Sequence, residues 1–159
     1  MISKEDPYSV TLPHIVGEWE GCGKGMEKAV LKSAYDGAAL VYARNEALAY
    51  VGNPDPARHA KVLSFATDGT WITFFAHYAA QSWEGKLEYH QYPIAWTSLV
   101  NSYEGFKQGR RQLRNLQDYA MRLSYTLGHA VQERYKRHQD SKQVDVKETL
   151  VTVPDGKDP

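Results

Sequence analysis

Apolar and polar positions change rhythm along this chain, and each rhythm marks an element. At His14-Ile15-Val16-Gly17-Glu18-Trp19-Glu20 the pattern suits a strand, whose successive side chains point to opposite faces. His14, Val16, Glu18 and Glu20 then share one face, and Ile15, Gly17 and Trp19 the other. Gly21, Gly23 and Gly25 make a loose turn around Cys22 and Lys24. From Met26 to about Val51 the period becomes helical: Val30, Ala34, Ala38, Val41 and Leu48 recur at helical spacing. Leu31, Tyr35 and Tyr42 broaden that stripe, which predicts a helix buried on much of its circumference. Gly52 and the following Asn53-Pro54-Asp55-Pro56 stop it.

The runs at 62–67 and 71–78 predict a hairpin. Asp68-Gly69 between them suits a type I′ turn, which pairs Thr67 with Thr70. Leu63, Phe65, Ile72 and Phe74 share a core face; Val62, Ser64, Trp71, Thr73, Phe75 and His77 share the other, which meets the long helix or lines a pocket. Residues 87–92 alternate as a further strand closed by Pro93. A second helix spans about 98–138, with Phe106, Leu113, Leu116, Ala120, Leu123, Leu127 and Val131 at helical spacing and Gly105, Gly109 and Gly128 as points of bending. The order β-α-β-β-β-α predicts an α/β fold, with α+β as the alternative: a sheet of about four strands packed by two long helices. Residues 1–139 read as one domain with a polar arm at 1–12, and 140–159 as a flexible polar tail in which Val144, Val146, Leu150 and Val153 offer a late edge strand.

Composition narrows the function classes. Lys and Arg (19) balance Asp and Glu (19) among 159 residues, so no global field draws in nucleic acid or anionic membrane. Cys22 is the sole cysteine, which excludes an intramolecular disulfide and a cysteine-based zinc site. No secretory pattern or membrane-length apolar run is visible, so the expectation is a cytoplasmic protein. The 11 Tyr and 4 Trp suit pockets and interfaces as well as cores.

Three constellations offer chemistry. Glu18 and Glu20 present two hard oxygen ligands suited to Mg²⁺ or Mn²⁺ and hence to metal-assisted phosphodiester hydrolysis; solvated acids on an edge strand give the same pattern. His77 and His90 fall on neighbouring predicted strands and offer proton transfer near neutral pH, as does His14, although half-buried sheet histidines satisfied by hydrogen bonds look the same. His59, His129 and His138 read as surface residues. Trp19, Tyr35, Tyr42, Trp71, Phe75 and Tyr89, with Tyr92 and Trp96, outline an amphipathic cavity for an apolar small molecule, or an ordinary aromatic core. On the second helix Lys107, Arg110, Arg111, Arg114, Arg122, Arg134, Lys136 and Arg137 outnumber Asp118 and Glu133. That ridge suits phosphate, but without interleaved stacking aromatics it is better read as a solvated face.

The segment "LPHIVGEWEGCGKGMEKAVLKSAYDGAALVYARNEALAYVG" resembles the core of the PD-(D/E)XK nuclease-like fold, in which a strand carries an acid, any residue and a lysine before a helix. Glu18 matches the acid. Glu20 stands at the lysine position, with Lys24 as a replacement; Asp6 is the one candidate for the upstream aspartate; Leu31…Tyr35 echoes a Gln-x-x-x-Tyr helix motif without its glutamine. The stretches "YDGAALVYARNEALAYVG", "EYHQYPI" and "GRRQLRNLQDYA" resemble a group of uncharacterised proteins from filamentous fungi. These resemblances imply a nuclease-like fold whose cleaving set has degraded, in a setting of secondary metabolism.

The reading favoured by these features is a small-molecule enzyme of isomerase or cyclase type, using an aromatic pocket and no cofactor. Its catalytic candidates are Glu18, Glu20, His77 and His90. The binding candidates are Trp19, Tyr35, Tyr42, Trp71, Phe75 and Tyr89. A nuclease or nucleic-acid-binding protein using Glu18 and Glu20 with Mg²⁺ or Mn²⁺ is the alternative. A non-catalytic interaction module, dimerising through the second helix or a sheet edge, is the third.

Overall fold

The alternating segment and the helix after it close into a β–α–β unit. The computed structural model describes residues 13–21, 25–56 and 58–151, with side chains to residue 141. Its elements are β1 (Ile15–Trp19), α1 (Met26–Val51), β2 (Val62–Thr67), β3 (Trp71–Gln81), β4 (Leu87–Ser98) and α2 (Tyr103–Val151). β1 pairs parallel with β2, and a parallel pair needs a crossover, which α1 supplies. β2, β3 and β4 continue antiparallel, giving one mixed four-stranded sheet in the order β1-β2-β3-β4. The fold is therefore α+β rather than α/β. The expected arm at 1–12, the turn at 22–24 and residues 152–159 lie outside the described residues.

Register sets what each face carries. Val16 pairs with Ser64 and Glu18 with Ala66; Ser64 pairs in turn with Phe75, and Val62 with His77. This set faces α1. Leu63, Phe65, Ile72, Phe74 and Ala76 face the other way, under α2. The hairpin loop is longer than a two-residue turn: Thr67 pairs with Ile72, not with Thr70. The Asp68 carboxylate makes the difference, accepting from the backbone N–H groups of Thr70 (2.8 Å) and Trp71 (2.9 Å) and from the Thr70 hydroxyl. A shift of two residues preserves side-chain faces, so the core expected from alternation survives the altered register.

β4 does not stop at Pro93. It runs to Ser98, with a register shift beside Phe74 and Phe75 that places Pro93 opposite Phe75. β4 is an edge strand, where a residue lacking an N–H costs little. α2 starts at Tyr103 rather than 98; the Ser102 hydroxyl accepts the Gly105 N–H at 3.0 Å and so caps it. It runs on to Val151, past the boundary at 139 where a flexible tail or late strand was expected. Gly105 and Gly109 do not break it. A Cβ on Gly109 would lie 2.7 Å from Leu99 and 3.0 Å from Thr97, so this glycine lets α2 lie close to the sheet.

α1 ends where expected. Gly52 takes a left-handed conformation (φ 80°), and its N–H reaches the Leu48 and Ala49 carbonyls. The buried stripe is Ala29, Ser33, Gly37, Val41, Arg44 and Leu48. The expected stripe of Val30, Ala34 and Ala38 is only half-buried, and Leu31, Tyr35 and Tyr42 are exposed. Small residues face the sheet because the sheet supplies the bulk there, through Phe75 and His77. Ala29, Ala66 and Phe75 form one apolar cluster; Leu48 and Leu127 join α1 to α2 in another. Among the described residues no helix is long and apolar enough to cross a membrane.

Candidate functional site

β1 and α1 together place a charged cluster. Glu20 is 5% exposed, and its carboxylate accepts from Lys32 Nζ at 2.9 Å. Glu18 shares the face; desolvation and a hydrogen bond with the Asp36 carboxyl raise its pKa above the usual glutamate value. Lys32 is held charged chiefly by its hydrogen bond to Glu20, which raises its pKa. Thus α1 returns a lysine to an acidic site whose strand lacks one. Asp6 and Lys24, the other residues that the nuclease resemblance implies, lie outside the described residues. Among the described residues no group of three or more His, Cys, Asp or Glu is arranged to hold a metal ion.

Glu18 gives a first prediction. A carboxyl whose folded pKa is raised favours folding when protonated and opposes it when ionised. Glu18→Gln is therefore expected to raise the urea midpoint at pH 7, and the gain shrinks as the pH falls and wild-type Glu18 takes up its proton. Paired urea curves at pH 7 and pH 4 measure this.

Further along the same face, His14 is 1% exposed and meets Arg44 through its Nε2. Arg44 also donates from Nε to Asp55 at 2.7 Å, tying α1 to the loop that follows it. Sequence reasoning missed this pair. The signal was Arg44 itself, a cation between Val41 and Leu48 on the apolar side of a helix, which must find a partner when buried.

The third group lies under the middle of α1. His77 is 2% exposed, and Ser33 and Ser64 are fully buried. Ser64 Oγ is 2.7 Å from His77 Nε2 and 2.6 Å from Ser33 Oγ, and Gln91 donates to Ser33 at 3.1 Å. The chain ties β4, α1, β2 and β3 together and satisfies groups that would be costly unpaired. Burial pushes the His77 pKa down to about 4, so the ring is neutral at physiological pH. His77 lies against Gly37, the one point of α1 with no side chain to displace it.

His77 is also the wall between two hollows. One of 460 Å³ lies between the second half of α1, the loop after it and the far half of β3; Arg44, Asp55, His59, Lys61, Val62 and Tyr78 are among its lining. One of 210 Å³ lies between the first half of α1 and β4, lined by Leu31, Ala34, Tyr35, Tyr89, His90 and Gln91. Both include Val41, His77 and Tyr78, so the two hollows adjoin at these residues. A wider hollow of 660 Å³ separates the start of β1 from α2, but it borders Pro13, the first described residue, and contains neither His77 nor the acidic cluster.

No family model, curated protein or solved structure matches the chain. The site therefore rests on its own geometry.

That geometry unites part of the expected set. His77, His90, Tyr35 and Tyr89 line the smaller hollow. His90 does not meet His77: it pairs with Tyr78 and stacks on that ring at 4.8 Å. Phe75 is buried against Ala29 and Ala66. Trp71, at the opposite end of β3, lines neither lobe. Tyr42 (56% exposed) also lies outside both, and Trp19 (66% exposed) belongs to the face of β1 away from α1. Glu18 and Glu20 belong to the separate cluster with Lys32. Alternation places residues on faces, but it does not say how far along the sheet a helix covers them. On α2, Lys107 lies over the Tyr103 ring and Arg110 over Phe106, contacts within one helix face that fit the solvated reading of the basic ridge.

Proposed function

We propose that the two hollows between α1 and the β3–β4 hairpin join as one two-lobed groove that binds a small, largely apolar molecule, and that the protein acts on it as an isomerase- or cyclase-type enzyme without a metal. The observation that carries this reading is His77, a buried neutral imidazole held by Ser64 at the junction of two hollows. The larger hollow falls within the size range of ordinary ligand sites. A neutral ring at such a junction gives both hollows an uncharged wall, while the lobes hold the two ends of a flexible molecule in one conformer. Holding a reactive conformer is a main resource of an enzyme that rearranges bonds without a cofactor. On this reading the β1–α1–β2 unit is a PD-(D/E)XK-like core that has lost phosphate cleavage.

The test is a titration of labelled protein with 2-naphthol followed by NMR. Shifts are expected at Val41, His77, Tyr78 and Tyr89. Shifts confined to exposed aromatics such as Trp83 and Tyr125 contradict the proposal.

One observation favours a second reading. Lys32 beside Glu20, with Glu18 and Asp36 close by, makes up the charge complement of a metal-dependent nuclease. That reading requires Mg²⁺ or Mn²⁺ binding that is lost in Glu18→Ala, together with cleavage of DNA or RNA.

A further inference from the structure

The two lobes differ in charge, and the difference specifies a ligand class. The smaller lobe is lined by Leu31, Ala34, Ala38 and the rings of Tyr35, Tyr78 and Tyr89, and no Asp, Glu, Lys or Arg lines it. The larger lobe is lined by two basic side chains, Arg44 and Lys61, with His59, against one acid, Asp55. Arg44 is already engaged by Asp55 and His14. Lys61 is half-buried and makes no ion pair among the described residues. His77 lies between the lobes and carries no charge at neutral pH, so it neither attracts an anion to the middle of the groove nor repels an apolar segment there.

Resting on the small-molecule reading above, we infer that the ligand is a carboxylic acid with an aromatic or alicyclic end: the ring lies in the smaller lobe and the carboxylate meets Lys61 in the larger. The α1 positions at the centres of the lobes are about nine residues apart, and at ~1.5 Å per residue this places ring and carboxylate on the order of 14 Å apart. A linear linker of about nine methylenes spans that distance. A charge-assisted ammonium–carboxylate contact favours such a ligand over its neutral isostere, while an amine at the same position meets like charge.

The probes are 10-phenyldecanoate, 10-phenyldecan-1-ol and 10-phenyldecylamine, titrated into the full chain by calorimetry with the His77 ring signals followed in parallel. The acid is expected to bind about tenfold tighter than the alcohol, and the amine more weakly than either. Lys61→Gln brings the acid down to the affinity of the alcohol, and Lys61→Arg keeps the preference. Equal affinities for acid and alcohol, or a preference that survives Lys61→Gln, overturn the inference while leaving the small-molecule reading intact. If none of the three probes shifts the His77 ring, both fall together.

Discussion

Gly37→Ala is expected to destabilise the fold by about 3 kcal/mol, at the upper end of the usual cost of overpacking a core. The added methyl would lie 2.2 Å from both Cε1 and Nδ1 of His77. Neither partner has an easy way out. The ring is 2% exposed and its Nε2 is fixed to Ser64. Gly37 belongs to the buried stripe of α1, so relieving the clash lifts the helix from the sheet and stretches the 2.6 Å Ser33–Ser64 contact one turn away. For a chain of this length the loss corresponds to a fall in Tm of about 10 °C. Gly21→Ala is the control, since a Cβ there meets nothing within 4 Å. Urea denaturation of the two variants decides the matter. A Gly37→Ala protein within about 0.5 kcal/mol of wild type would mean that α1 does not approach β3 as closely as described.

Acid is expected to remove a comparable amount of stability through His77 alone. Its folded pKa of about 4 lies below the ordinary value of 6.5, so its contribution is full above pH 6.5. Between pH 6.5 and 4 the unfolded chain binds a proton that the folded chain refuses, and stability falls with falling pH. The whole displacement amounts to about 3 kcal/mol. No charge opposes this titration within the hydrogen-bonded chain, because Ser33, Ser64 and Gln91 are all neutral. Ionised Glu18 works in the opposite sense, its protonation favouring the fold, so wild type alone shows the sum of the two. The comparison that isolates His77 is with His77→Gln: its stability should lack the wild-type decline over this window, leaving the opposite contribution of Glu18. Equal pH slopes in the two proteins would show that the imidazole is not kept neutral by folding.

Local signals were legible where one residue type has one use. The strict alternation at 14–20 placed Glu18, Glu20, His14 and Val16 on one face, and they lie there against α1. Gly52 stopped the helix because a left-handed residue is needed at that point. Less was legible where the deciding partner is distant in sequence. Val41 and Leu48 are buried as their spacing predicts, but the first half of the α1 face lies one position earlier than hydrophobicity suggests, at Ala29 and Ser33 rather than Val30 and Ala34. The true criterion was smallness opposite Phe75 and His77. Pro93 ends a strand in isolation but is tolerated on an outer edge beside a register shift, and edge position is a property of the whole sheet. Tyr35 and Tyr89 belong to the groove while Tyr42 does not, a difference set by how far α1 overlaps β4. Arg44 and Asp55 are eleven residues apart and give no motif; only the burial of a lone arginine betrays them.

The proposed groove places an uncharged imidazole at its centre, and the ring signals of His77 report that state directly. In an NMR pH titration of protein labelled at histidine, His77 should remain neutral from pH 7 down to about 5, with its midpoint near 4. A midpoint near 6.5, the value of a solvated histidine, would contradict the account.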